Sequence, residues 1–322
     1  MKPPYEINSK ILTLVSSISE NLGSISAYFL DKPTTTLRKQ NKIKTIHSSL
    51  KIEGNTLTEN QITALLENKR VVGPENDIKE VLNALQIYNQ LKKFNYKSEK
   101  SFLKAHKILL KNINNEAGKY RKQGVGIVKG NKVEHLAPPF ENVPFLMKDL
   151  FTYLESEEII LIKSCVFHYE MEFIHPFIDG NGRMGRLWQT LILMHKYPVF
   201  EYLPFETIIS DNQEAYYKAL SESDKAGNST KFIEFMLDII NESLDISLKL
   251  STKKMNSNER IDYFLETNRN EFKKGFSRKD YLKLFKQISS ATASRDLQKA
   301  VDLKLIIKTG DKNKTLYLII KT

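Results

Sequence analysis

Residues 173–186, FIHPFIDGNGRMGR, mark a place where one helical pattern must stop and another begin. The residues just before, SCVFHYEMEF, put Val166, Tyr169 and Phe173 at helical spacing with His168, Glu170 and Glu172 between them. Pro176 cannot extend that helix, because it has no N–H to donate and its ring collides with the preceding turn. Gly180, Gly182 and Gly185 follow, and a second helix is predicted from about residue 182 to 196. The local order is therefore helix, break, glycine-rich turn, helix. This order removes the most obvious reading of the glycines. They satisfy G-x-G-x-x-G, but that dinucleotide fingerprint needs a buried strand before its first glycine. The phosphate loop G-x-x-x-x-G-K-[ST] occurs nowhere in the chain.

A turn that opens into a helix exposes backbone N–H groups, which together form a cradle for an anion. Arg183 and Arg186 are three residues apart, so both can project near the helix start and offer bidentate contacts to terminal phosphates. Asp179 precedes the cradle and suits Mg²⁺, which takes one or two carboxylates and completes its shell with phosphate oxygens and water. His175 is placed as a general base, since an ordinary imidazole titrates near neutrality. The residues together predict a Mg²⁺-nucleotide site with a base for a hydroxyl. His168, Glu172 and His175 could share a helix face as zinc ligands, but no H-E-x-x-H occurs, and His168 reads better as a hydrogen-bonded core residue.

Around this stretch the first 250 residues are mostly helical in pattern, and the fold class expected is mainly α. Ile11, Leu12, Val15, Ile18 and Leu22 share one helix face, and a second helix runs from the Thr34–Thr36 cluster to Ile52, ended by Gly54 and Asn55. Thr58 and Gln61 form a capping box for a helix through Leu66. Further helices are predicted over 75–94, 99–113, 142–155, 159–174, 211–223 and 229–250. The main interruption is 120–139, YRKQGVGIVKGNKVEHLAPP, where Val125, Ile127 and Val133 flank a Lys-Gly-Asn-Lys turn and predict a short β-hairpin. Residues 250–259 are polar and read as a linker. Beyond it, Ile261, Phe264 and Leu265 mark one helix, Ser277 caps a second, and Ser289 or Ser290 caps a third. The runs LIIKTG and TLYLII then form a terminal hairpin, so 251–322 looks like a winged helix-turn-helix.

Charge follows the same division. Of a net charge of +11, residues 251–322 carry +9, from 17 Lys and Arg against 8 Asp and Glu, so polyanion binding is an expectation for that segment alone. Cys165, the single cysteine, has no disulfide or thiolate-metal partner and lies among apolar neighbours, which fits a core thiol in a reducing compartment. No apolar run reaches membrane-spanning length and the N-terminus lacks an apolar signal core, so a cytoplasmic protein without membrane association is expected.

His175-Pro-Phe-Ile-Asp179-Gly-Asn-Gly-Arg183-Met-Gly-Arg186 resembles the Fic family signature H-P-F-x-[DE]-G-N-G-R-x-x-R, with no departure at its defining positions. The resemblance extends over roughly residues 40–245, and 251–322 resembles a winged-helix module often appended to Fic proteins. It implies an all-helical Fic core with a β-hairpin flap, divided as an N-terminal helical region over 1–95, a catalytic domain over 96–250 and a winged-helix domain over 251–322. It implies transfer of AMP from ATP to a Ser, Thr or Tyr hydroxyl of target proteins, or of the protein itself, with Mg²⁺ as cofactor. His175 would then deprotonate the hydroxyl and Asp179 would hold the metal. Gly180, Asn181 and Gly182 would form the anion hole, Arg183 would contact the β- and γ-phosphates and Arg186 the γ-phosphate, with Met184 and Gly185 inside the same nucleotide-binding segment. Val133, Glu134, His135 and Leu136 would lie on the flap beside nucleotide and target backbone. Tyr216 and Tyr217 resemble a tyrosine pair beside the nucleotide in some relatives, although one core and one surface tyrosine explains them equally well.

The segment SSLKIEGN fits [S/T]-x-x-x-E-[G/N], with Ser49 and Glu53 on one helix face, and resembles the family's inhibitory helix, here over about 35–54. Glu53 would pair with Arg186 and occupy the γ-phosphate position. Removal of AMP by the same site, another nucleotide or phosphocholine donor, and a DNA-binding regulator acting through Arg295, Lys299, Lys304, Lys312 and Lys314 remain open at this level, as does assembly into a homo-oligomer.

Overall fold

The computed structural model describes residues 2–27, 35–129, 132–252, 256–268, 272, 275–285, 288–310 and 315–320. Two compact units result, one of residues 1–31 with 40–248 and one of residues 32–39 with 249–322.

The larger unit contains α1 (Ser9–Ala27), most of α2 (Thr35–Ile52), α3 (Glu59–Leu66), α4 (Glu75–Tyr88), α5 (Glu99–Leu109), the hairpin β1 (Gly126–Lys129) and β2 (Lys132–Leu136), α6 (Val143–Tyr153), α7 (Ile160–Ile174), α8 (Asn181–Lys196), α9 (Phe205–Asp211), α10 (Gln213–Ala226) and α11 (Thr230–Thr252). Its centre is α7 against α8. Both are buried on nearly every face, from Ile160 through Met171 in α7 and from Met184 through Leu193 in α8, as a helix surrounded by other helices must be. Around the pair lies a single apolar core with members from Ile11 to Leu244. Phe102 of α5 meets Trp188 of α8 edge-on at 5.0 Å and stacks at 5.4 Å on Phe177, in the break between α7 and α8. The glycine-rich turn is thereby fixed to the core by a fully buried aromatic ring.

Helix α2 lies against α9 and α10. Ser48 Oγ donates to Thr207 Oγ1 at 3.2 Å, and the Gln213 amide donates to the Ile52 carbonyl at 2.9 Å, which satisfies one of the acceptors left open at a helix end. Gly54 then takes φ +92°, the left-handed stop its sequence position predicts. The hairpin pairs Ile127 with His135 and Val128 with Val133, with a register shift between Ile127 and Val128.

In the smaller unit, α12 (Ser257–Asn268), α13 (Arg278–Leu284) and α14 (Ser290–Asp302) precede an antiparallel pair, β3 (Ile306–Thr309) and β4 (Leu316–Ile319). Phe276 forms a bridge with Tyr317, so a further backbone segment joins the pair. Buried Asp296 takes a bidentate ion pair from Arg260 at 2.6 and 2.9 Å and accepts from the Tyr281 hydroxyl. Ser277 caps α13 as expected, and of the two candidates for α14 it is Ser289 that caps the helix.

The polar stretch 250–259 is not a linker throughout, because α11 runs to Thr252 and α12 starts at Ser257. Asn256 Oδ1 accepts from the Glu259 N–H while Glu259 Oε2 accepts from the Asn256 N–H, so polar residues read as linker are a reciprocal helix cap. Among the described residues, no helix is long and apolar enough to cross a membrane.

Candidate active site

The turn between α7 and α8 is shaped by its own backbone and packing. Helix α7 ends because His175 adopts φ 48° and ψ 60°, a left-handed cap, while its N–H still reaches the Met171 carbonyl. Gly180 stands at φ +81°, where a side chain is strained, and a Cβ there would press on Leu110 and His106. Asn181 is buried, and its amide both accepts from the Phe177 N–H and donates to the Phe177 carbonyl, each at 2.9 Å. Its side chain shapes the turn; what it offers to a ligand is its N–H at the start of α8.

Two residues that no sequence motif marks hold this turn from behind. Arg121 is only 3% exposed, yet every nitrogen of its guanidinium finds a carbonyl: Nε donates to His175 at 2.8 Å, Nη1 to Gln123 at 2.9 Å, and Nη2 to Pro138 and Ile174. Its own N–H reaches the Pro176 carbonyl at 2.9 Å. His106 Nδ1 accepts from the Gly118 N–H, so the ring proton sits on Nε2 and is donated to the Asp179 carbonyl at 2.9 Å. Burial pushes the His106 pKa down to about 4, which keeps that neutral tautomer, and its ring stacks on Phe177 at 3.6 Å.

On its open side the turn faces a cavity of about 260 Å³. His175, Asp179, Gly180, Asn181, Gly182 and Arg186 line it from the motif, Glu53 from just past the end of α2, and Tyr216 and Tyr217 from α10. Arg186 is fully buried; its Nε and Nη2 donate to the Ser49 hydroxyl and carbonyl at 3.1 and 2.9 Å, and Nη2 also meets Glu53 Oε1 at 2.8 Å. Burial disfavours its charge, but Glu53, Tyr216 and Glu172 outweigh that and hold its pKa above the usual arginine value. Nη1 is buried without a hydrogen-bond partner in this structure. A Cβ on Gly182 would run into the Glu53 carboxylate, so Glu53 occupies the mouth of the cradle at the start of α8.

The remaining candidates separate clearly. Arg183, Met184 and Gly185 do not line the cavity. Met184 is in the core, Gly185 gives α8 close approach to His168 and Glu172 of α7, and Arg183 is 4% exposed behind the cradle, bound to Glu80 at 2.6 Å and Asp179 at 2.8 Å. Glu80 of α4 is a third site residue that sequence reading misses. Tyr216 is buried and shares a hydrogen bond with His168 Nε2 at 3.0 Å, whereas Tyr217 is 42% exposed, so the pair divides between core and surface while both still border the cavity. The Nδ1 of His168 bonds Gln189 at 2.7 Å, and burial pushes its pKa down to about 3: it is a core histidine. The backbone of Val133, Glu134, His135 and Leu136 forms β2, and their side chains lie outside the described residues. Cys165 is fully buried, which raises its thiol to about 12 and leaves it no nucleophilic role.

The Fic/DOC family model matches residues 96–193. Two curated relatives, both named protein adenylyltransferase Fic, from Drosophila mojavensis and Nematostella vectensis, are 28% identical over 249 and 260 residues. These alignments cover 73% and 77% of this chain but 47% and 58% of the relatives, so the chain spans about half the length of the curated relatives it matches. A crystal structure of a Fic family protein from Desulfovibrio desulfuricans G20 is 36% identical, with a TM-score of 0.76, over 100% of this chain and 99% of that one. Likeness over the full length of both chains, together with the motif it contains, places this protein as a member of the Fic/DOC family.

Proposed function

We propose that the protein transfers AMP from ATP to a Ser, Thr or Tyr hydroxyl of a target protein, and that Glu53 restrains this activity. The observation that carries the reading is the convergence on one cavity of an imidazole, an N–H cradle with a buried arginine, and a carboxylate paired with that arginine. In this mechanism His175 accepts the proton of the target hydroxyl as its oxygen bonds to the α-phosphorus. The bond from that phosphorus to the bridging oxygen breaks, and pyrophosphate leaves with the electron pair. The first N–H groups of α8 hold phosphate oxygens where charge accumulates, and Arg186 takes the γ-phosphate once Glu53 withdraws. Arg121 and His106 keep the His175 and Asp179 backbone in place through the reaction.

Asp179 is the residue that would hold Mg²⁺. Its carboxylate is 44% exposed, borders the cavity and spends Oδ1 on Arg183 and on the Gly180 N–H. A single carboxylate suits a metal that arrives with the triphosphate and keeps phosphate and water ligands. A Mg²⁺ held there would supply neutralisation of charge on the phosphate oxygens. Mass spectrometry after incubation of the protein and a lysate with ATP and Mg²⁺ tests the reading. AMP adducts should be strongest with Glu53→Gly and absent with His175→Ala; adducts that persist in His175→Ala would refute the assigned base.

For the smaller unit we propose a winged-helix module that binds DNA. Support comes from its three helices and paired strands, and from exposed Arg295 and Lys299 on α14 with exposed Lys304 just after it. Lys312 and Lys314 lie outside the described residues. Salt-dependent DNA binding that is lost on truncation after residue 250 would support this, and equal binding by the truncated protein would refute it.

A further inference from the structure

Arg183 and Arg186 are each held by a carboxylate from the N-terminal part of the chain, but in different ways. Arg186 faces the cavity and meets Glu53; Arg183 lies behind the cradle and does not border the cavity, although Asp179, Gly182 and Arg186 on either side of it do. Its Nη1 is 2.6 Å from Glu80 Oε1, and its Nε is buried without a hydrogen-bond partner. The other oxygen of Glu80 accepts from Asn55 Nδ2 at 2.8 Å. Asn55 is buried, stands two residues after Glu53, and also donates to the Asp77 carbonyl at 3.2 Å, while Thr56 bonds the Asp77 carboxylate through both its N–H and hydroxyl. The turn that presents Glu53 is thus fastened to α4 by the same carboxylate that holds Arg183.

We infer that Glu80 is a positioning residue for Arg183, holding its guanidinium back from the cradle, and that Asn55 makes this hold depend on the end of α2. The inference rests on the proposed reading of the cavity as a triphosphate site. Of the two carboxylates on Arg183, Asp179 borders the cavity and Glu80 does not, so Glu80 is the contact that must be exchanged before Arg183 can reach a phosphate. AMP has no β- or γ-phosphate for Arg183 to meet. Glu80 should therefore weaken binding of ATP and leave AMP nearly untouched.

The test is calorimetric titration of full-length protein carrying Glu53→Gly and His175→Ala, so that Arg186 is released and no turnover occurs, with Mg²⁺-ATP and with AMP. Adding Glu80→Gln should tighten ATP binding about tenfold, the scale of one charged hydrogen bond, and change AMP binding less than about twofold. Adding Asn55→Ala, which alters no charge and leaves the Arg183–Glu80 pair in place, should move ATP affinity in the same direction by about threefold. It also serves as the test should Glu80→Gln not fold. If the starting variant binds ATP but Glu80→Gln leaves ATP affinity unchanged or weaker, the role of Glu80 is overturned while the triphosphate reading stands. A response to Glu80→Gln without one to Asn55→Ala overturns the coupling to α2. Failure of the starting variant to bind either nucleotide overturns the triphosphate reading, and this inference with it.

Discussion

On the proposed reading, replacing Glu53 by Gly should raise AMP transfer, and the structure sets the size of the effect. The contact removed is a single charge-assisted hydrogen bond at 2.8 Å between a fully buried guanidinium and a carboxylate that is 27% exposed. Such a bond contributes about 1.5–3 kcal/mol, and each 1.4 kcal/mol is a factor of ten in a population. If the paired state is the inactive one, initial rates of AMP incorporation should rise roughly 10- to 150-fold at fixed ATP. The loss of stability should be smaller than the usual 3–5 kcal/mol for a broken buried pair, on the order of 1–2 kcal/mol, because Arg186 keeps both Ser49 contacts and water can reach it through the cavity. Mg²⁺-ATP should restore that stability more fully in the variant than in wild type, since the γ-phosphate replaces the lost anion. Glu53→Gln provides the control: its amide oxygen can still accept from Arg186 but carries no charge, so its rate should fall between the two. The assay is radiolabelled AMP incorporation, with thermal melts on the same samples. A rate gain under about threefold in folded Glu53→Gly that binds ATP, or a Glu53→Gln rate above that of Glu53→Gly, would refute the restraint.

Two other substitutions probe the supports of the site. Arg121→Lys keeps the charge but cannot reach carbonyls of Gln123, Pro138, Ile174 and His175 together; activity in the Glu53→Gly background should drop at least about tenfold and stability by about 2–3 kcal/mol, measured by urea unfolding, and near-wild-type values for both would show that the fork is dispensable. Glu206 on α9 is fully buried and pushed up to about 7 by that burial, with Oε1 accepting a 3.2 Å bond from Thr190. A carboxyl whose folded pKa is raised binds its proton more tightly when folded, so its contribution falls as pH rises from about 4.5 to 7 and stays low above that. Glu206→Gln should therefore gain on wild type across that window, reaching order 3 kcal/mol by pH 8; a pH-independent difference in urea midpoints between the two would contradict the assignment. Glu170, also pushed up by burial to about 7, titrates in both proteins and cancels from the comparison.

The break at Pro176, the glycine turn and the caps at Thr58, Ser277 and Ser289 were legible in the sequence because each is a local demand of the backbone, met within four residues. The stretch 250–259 misled because Asn and Glu are polar both in a linker and in a helix cap, and only their spacing three apart separates the two. Helix α9 is seven residues long and gives too little periodicity to stand out. Arg121, His106 and Glu80 were invisible for a different reason. The contacts that tie them to the motif span 54, 73 and 103 residues, and for the first two the motif's side of the contact is a backbone carbonyl, which carries no side-chain identity to read. The contact between Glu53 and Arg186 spans 133 residues and was expected only through family resemblance, since no spacing rule joins positions so far apart.

Arg121 gives the site a property that no single hydrogen bond conveys. Gln123 precedes the β-hairpin and Pro138 follows it, and one guanidinium grips the carbonyls of both together with that of His175. The two feet of the hairpin and the backbone of the imidazole share one rivet. On the proposed reading, an extended segment pairing with the hairpin would be indexed against the histidine by that shared anchor, and sliding it by one residue would carry a different side chain to the base.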